Sequence, residues 1–227
     1  MTTKYRAITL DLDNTLWDMW SVIQHAEKNS YRYLQEHYPR VTERYSVDDI
    51  PDLRWSLIDR RPELEHDVTE IRRQLFIEML TESAYDAADA EILLSRFLID
   101  RNNVELYPDV HPSLQALSQQ FPLVALTDGN SDLASIGIHH YFVGAVYAID
   151  VGFNKPHPAG FLKACEIAGS NPDETIHVGD SPTADIAGAH GAGLHSMWVR
   201  RNGEEWTEEY TPNYTVTTLT EAVEILC

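Results

Sequence analysis

The rhythm of hydrophobic and polar positions changes along the chain. Residues 5–10, YRAITL, form a short β-rich run that breaks at Asp11, as a buried strand does when it runs into an acidic loop. From residue 17 to about residue 101 the apolar positions recur every three or four residues, with no strand-like run among them. Four helices are predicted there, over 22–38, 47–60, 68–80 and 86–99, the third following the break at Arg61-Pro62. After Pro108 helical and strand patterns alternate. The stretch 113–120 leads to a strand at 122–127, 133–138 to 145–150, 159–169 to 175–180, and 184–193 to 194–199. The acidic piece 201–213 reads as a solvated loop before a last short strand and helix.

Strands alternating with helices of about ten residues imply an α/β fold, a parallel sheet with helices on both faces. The first strand is cut off from the others by the all-helical block, so that block is read as an insertion. The expected division is a core of residues 1–16 and 104–227 with a helical unit at 17–103. At roughly 100–200 residues per domain, 227 residues fit this scheme.

Charge narrows the range of partners. With 17 basic and 36 acidic residues the formal net charge is −19. Such a surface repels nucleic acids and anionic membranes, so neither is an expected partner. A small phosphorylated molecule stays compatible if positive charge is supplied locally. The two cysteines, Cys165 and Cys227, form no C-x-x-C pair, which argues against a zinc site and fits a reducing cytoplasm. No signal-peptide pattern opens the chain, and no stretch approaches the roughly 20 apolar residues of a membrane span.

In open parallel sheets ligands bind beyond the carboxyl ends of the strands. The polar residues that directly follow the predicted strands are Asp11, Asp13 and Thr15; Thr127, Asp128, Gly129 and Asn130; Lys155; and Gly179, Asp180 and Asp185. Taken singly, each has a plain explanation as a turn, a helix cap or a surface side chain. Taken together they gather at one edge of one sheet. Converging carboxylates from Asp11, Asp13 and Asp180 repel one another unless a cation joins them, and an all-oxygen set suits Mg²⁺. A carboxylate can attack phosphorus, and a second one two residues on can protonate the leaving oxygen. Thr127 and backbone N–H groups at the start of a 131–137 helix would grip phosphoryl oxygens, with Lys155 balancing charge.

These motifs resemble those of the haloacid-dehalogenase-like (HAD) hydrolase superfamily. DLDNT at 11–15 is similar to its first motif, Thr127 to its second, Lys155 in NKPHP to its third, and GDSPTAD at 179–185 to its fourth. The resemblance implies a Rossmann-like core, with Asp11 as nucleophile and Asp13 as general acid and base. It implies Mg²⁺ held by the Asp11 carboxylate, the Asp13 backbone carbonyl and Asp180, with Asp185 in support. The helical block would be the family's cap. RRPELEHDVTEIRRQ (60–74), FPLVALTDGN and IHVGDSPTADIAGA look similar to bacterial flavin-mononucleotide phosphatases, although those relatives usually carry Asn where this chain has Asp128. The expected function is Mg²⁺-dependent hydrolysis of a small phosphorylated metabolite, such as FMN or a sugar phosphate, through an aspartyl-phosphate.

Other features are weighed beside these. Arg60, Arg61 and His66 fall in a cap turn that either reads the substrate's leaving group or merely caps a helix. Trp17, Met19 and Trp20 read as hinge packing or as pocket lining, and His177 as a core histidine. Rival readings are a 2-haloacid dehalogenase, which needs neither an acid for a departing halide nor a metal; a phospho-accepting signalling domain without turnover; and a silent binding module.

Overall fold

The computed structural model describes residues 5–227. Six strands, β1 (Ala7–Leu10), β2 (Leu123–Thr127), β3 (Gly144–Tyr147), β4 (Thr175–Gly179), β5 (His195–Val199) and β6 (Tyr214–Val216), form one sheet in the order β3-β2-β1-β4-β5-β6. Every pairing is parallel. This is the order of a doubly wound Rossmann sheet, whose connections reverse direction between β1 and β4 and thereby set helices on both faces. The central strands β1, β2 and β4 are buried at every position, which is why they read as near-continuous apolar runs.

The described residues fall into two compact units, one holding the chain up to Asp18 with Glu105–Cys227 and the other Met19–Val104. The first boundary lies two residues beyond the expected one. Trp17 is fully buried, forms isolated β-bridges to Asp13 and Leu106, and so stays with the sheet.

The second unit is all helical: α1 (Met19–His37), α2 (Pro39–Arg44), α3 (Ile50–Arg60), α4 (Val68–Glu82) and α5 (Ala90–Arg101). Leu34, Leu57, Leu75, Leu93 and Phe97 make its core. A buried Arg72–Glu27 pair at 3.0 Å lies in it, with the Arg72 guanidinium over the Phe97 ring. Helix α2 was not anticipated among the four predicted helices. Its first residue is Pro39, whose fixed φ suits a helix start, but six residues are too few to show a period.

In the sheet unit α6 (Val110–Ser118) packs on α11 (Leu219–Leu226), while α9 (Pro158–Ala168) lies against β1, β2 and β3. The predicted 145–150 strand stops at Tyr147, and Ala148–Val151 turns into the short α8, where the Asp150 carboxylate accepts from the Tyr147 N–H. The predicted 133–138 helix is the single turn α7 (Leu133–Ile136), ended by Gly137 at φ 88°. The predicted 184–193 helix is a π-helical turn, Pro182–Ala187, followed by α10 (Gly188–Gly191). Among the described residues no helix is long and apolar enough to cross a membrane.

Candidate active site

Strands β1 and β4 are neighbours at the switch point, and each delivers an aspartate one residue past its end. The Asp11 N–H donates to Val178 O at 2.9 Å, which fixes the first loop against the second. One carboxylate oxygen from each of Asp11, Asp180 and Asp185 lies within 4.8 Å of the others. Lys155, arriving from the loop after α8, places its Nζ 2.6 Å from Asp11 Oδ1 and 2.6 Å from Asp185 Oδ1, with the Leu126 carbonyl at 3.3 Å. The Thr15 hydroxyl donates to Asp11 Oδ2 at 2.9 Å and reaches Asp180 Oδ1 at 3.3 Å.

The charges are perturbed in a consistent way. Burial pushes the Asp11 carboxyl well above the usual range, with Lys155 pulling it back and Asp185 and Asp180 adding repulsion. Burial and then Asp185 raise Asp180 to about 7. Burial also acts to raise Asp185, but Lys155 and His177 outweigh it and hold this carboxylate ionised. Burial disfavours the Lys155 ammonium, and Asp11 and Asp185 overcome it, so the group stays charged. Three carboxyl groups share one ammonium, so their full ionisation leaves an excess of negative charge in a set of hard oxygen donors. That set fits a hard divalent cation such as Mg²⁺, with Asp11 and Asp180 the residues to hold it.

Asp185 carries donors on both of its oxygens. Its Oδ1 takes Lys155 and His177 Nε2, the latter at 3.1 Å, and its Oδ2 accepts from the Ser181 N–H at 2.9 Å. It therefore braces the lysine and the 180–185 loop, while one of its oxygens lies within 4.8 Å of those of Asp11 and Asp180. A Cβ at Gly179 would collide with the Asp185 carboxyl group, so only glycine admits this arrangement.

Asp13 does not belong to the cluster of three carboxylates, and its Oδ1 accepts from Trp17 Nε1 at 2.9 Å. Thr127 is buried at the end of β2, and its Oγ1 accepts from the Gly129 N–H at 2.9 Å. Asp128 turns its Oδ1 onto the Lys155 N–H at 2.9 Å, tying the second motif to the third. An asparagine oxygen would make the same bond, which explains how a carboxylate is accommodated at 128. Asn130 is half-buried after Gly129. The expected grip by the start of a 131–137 helix is corrected. Helix α7 starts at Leu133, and Asp132 already caps it by accepting the Ala134 N–H.

Arg60 is the last residue of α3, and Arg61 and His66 lie between α3 and α4 in the helical unit. Arg60 pairs with Glu78 at 2.7 Å and Arg61 with Glu63 at 2.6 Å, contacts within their own unit. His177 is more than core filling. Fully buried on β4, it bridges Asp185 to Thr9, whose Oγ1 is 2.8 Å from Nδ1. Its sequence signal was position alone, two residues before the Gly179-Asp180 step. Trp198, within the predicted 194–199 strand, and Arg201, at the start of the stretch read as a solvated loop, were also missed; they donate to the Asp180 and Thr15 carbonyls.

A family model described as haloacid dehalogenase-like hydrolase matches residues 5–193. The chain belongs to this family. It is similar to the 5-amino-6-(5-phospho-D-ribitylamino)uracil phosphatase YigB of Escherichia coli K12, 29% identical over 94% of this chain and 92% of that one. Among solved structures it resembles a 2-haloacid dehalogenase from Pseudomonas syringae pv. tomato DC3000, with TM-score 0.91 and 34% identity over 98% of each chain. It also resembles the magnesium-bound HAD-hydrolase YfnB of Bacillus subtilis, with TM-score 0.70 and 25% identity over 98% of each chain. The chain is thus a hydrolase, and its curated relatives group it with the family's phosphomonoesterases.

Proposed function

We propose that this hydrolase is a Mg²⁺-dependent phosphatase of small phosphorylated metabolites that works through a phosphorylated Asp11. The observation that carries this reading is the Lys155 ammonium, 2.6 Å from both Asp11 and Asp185, beside the carboxylate of Asp180. Asp11 attacks phosphorus, the bond from phosphorus to the departing alkoxide breaks, and Asp13 gives that oxygen its proton. Asp13 then takes a proton from water, which attacks the aspartyl-phosphate and releases inorganic phosphate and free Asp11. Lys155 neutralises the attacking carboxylate and the phosphoryl oxygens, and Thr127 with the Asp128 and Gly129 backbone borders the place they occupy. Mg²⁺, held by Asp11, the Asp13 carbonyl and Asp180, would supply charge neutralisation for those oxygens. The helical unit at 19–104 is proposed as the cap in which specificity resides, with Arg60, Arg61 and His66 the residues to examine.

YigB acts on a phosphoribityl compound, and FMN carries the same ribityl phosphate. FMN and sugar phosphates therefore head the substrate class. Phosphate release from p-nitrophenyl phosphate, FMN and a sugar-phosphate panel, with and without EDTA, tests the proposal. Release that EDTA abolishes is expected, and no release from any of them in Mg²⁺ would overturn it. The likeness to the Pseudomonas dehalogenase favours a second reading. Chloride release from 2-chloropropionate, unaffected by EDTA, would establish that one instead.

A further inference from the structure

Residues 198–210 run from the end of β5 into the 201–213 stretch, which reads in the sequence as a solvated acidic loop, yet they reach the acidic cluster from two sides. Trp198, buried at the end of β5, donates from Nε1 to the main-chain carbonyl of Asp180 at 2.7 Å. Trp206 packs edge-on against its ring, 4.8 Å between centroids, and donates from its own Nε1 to Tyr210 O at 2.6 Å. The Tyr210 hydroxyl in turn donates to Pro182 O at 2.7 Å. The backbone of the 180–182 loop is thus held at two carbonyls by two aromatic side chains, with Trp206 bonded to the backbone of one and packed on the ring of the other. On the other side Arg201 donates from Nε and a terminal nitrogen to Thr15 O, at 3.1 and 2.9 Å. Arg201 is itself fixed by a forked contact to Asp109, at 3.0 and 2.8 Å, and by the Tyr107 ring 4.5 Å below the guanidinium. Thr15 is the residue whose hydroxyl touches both Asp11 and Asp180.

We propose that residues 198–210 form a positioning clasp for the cation site, with Trp198 setting Asp180 and Arg201 setting Thr15. The physical need is plain. Asp180 is drawn toward two other carboxylates with one ammonium among them, and repulsion favours swinging its loop out to water. Loop backbone past the end of a strand has no ladder bonds to resist this, so beside the Asp185 brace from within the loop the resistance comes from donors outside it. Trp198 and Tyr210 are those donors, Arg201 holds the facing Thr15 carbonyl, and all three touch main-chain oxygens rather than reacting atoms. They are positioning residues.

The inference rests on the Mg²⁺ reading of the cluster, and calorimetric titration of the whole protein with Mg²⁺ separates the two. Trp198→Phe keeps the ring and removes the N–H. Losing one hydrogen bond of ordinary net strength, it should weaken Mg²⁺ binding by about 3- to 10-fold. Tyr210→Phe, on an exposed loop, should move it in the same direction by about twofold or more. In both, KM for p-nitrophenyl phosphate at saturating Mg²⁺ should stay at the wild-type value. Wild-type Mg²⁺ affinity in both variants, with only a lowered Tm, would overturn the clasp while leaving the metal reading standing. If Trp198→Phe does not fold, Tyr210→Phe decides alone. No Mg²⁺ binding by the wild-type protein would overturn both.

Discussion

Replacing Lys155 by methionine keeps the length of the stem and removes the ammonium from between Asp11 and Asp185. All three side chains are nearly sealed, at 4%, 7% and 1% exposure, so water cannot take the place of the lost charge. At 2.6 Å and an effective dielectric of about 20, each contact carries roughly 6 kcal/mol of gross attraction. Most of that offsets the cost of burying the ions. Removing one partner from a buried pair typically costs about 3–5 kcal/mol, because an uncompensated charge is left behind. Here two carboxylates are stranded, so the loss should reach that range, a large share of a total stability of about 5–15 kcal/mol. The pH dependence has a definite sign. Without the lysine both carboxyls titrate above their unfolded value, so the folded variant binds protons more tightly than the unfolded chain. Its deficit should therefore be greatest at pH 8 and shrink toward pH 5. Urea titrations of wild type and Lys155→Met at the two pH values measure it. A deficit below about 1 kcal/mol at pH 8, or the same deficit at both values, would refute the buried-charge account.

Other outcomes follow from the same geometry. Asp11→Asn should abolish p-nitrophenyl phosphate hydrolysis with an unchanged circular dichroism spectrum, and retained turnover would remove Asp11 as the nucleophile. Asp180→Asn should raise the Mg²⁺ needed for half-maximal activity, and an unchanged requirement would take away its assigned role. Gly179→Ala puts a methyl group into the Asp185 carboxyl, which Lys155, His177 and Ser181 hold in place. Activity should fall at least tenfold and stability by about 1–3 kcal/mol, as read by initial rates and thermal melts. Burial lowers the His177 pKa from its ordinary 6.5, so the unfolded chain takes up this proton first. Stability from this group is intact above about pH 6.5 and lost as pH falls below it. His177→Gln should flatten that part of the wild-type Tm-against-pH curve, and parallel curves would contradict it.

Most of the frame was legible because it rests on signals that act locally. A strand buried on both faces must be apolar along its length, so YRAITL, PLVALT and TIHVGD declared themselves, and the residue just past each end marked the site. Asp11, Lys155, Asp180 and Asp185 come together as their positions after the strands implied. What stayed hidden depends on contacts between distant residues or on elements too short to show a period. Helix α2 has six residues and α8 four. The partnership of His177 with Asp185 and Thr9 needs β1 and β4 to be neighbours, a fact of topology rather than of spacing. The 201–213 stretch misled for a different reason. Its glutamates face water as its composition says, while Trp206 and Tyr210, two residues among thirteen, decide where the backbone goes.

The similarity to a dehalogenase and to a phosphatase at once is what a shared frame with separable chemistry should produce. An attacking aspartate steadied by a lysine serves either substitution, at carbon or at phosphorus. The leaving group tells them apart. Halide is a weak base that departs without a proton, whereas an alkoxide needs one, and in the proposed mechanism Asp13, two residues from Asp11, gives it. The second discriminator is electrostatic. Burial, and then the neighbouring Asp185, raise the Asp180 pKa to about 7, so its ionised form is disfavoured where no further cation joins the cluster. A site for an uncharged carbon–halogen bond has no use for that arrangement. One that must bring a phosphoryl dianion up to a carboxylate does, because the cation that relieves the three carboxylates also neutralises the incoming oxygens. The excess of buried acid thus weighs toward phosphate chemistry more strongly than overall likeness to any one relative weighs against it.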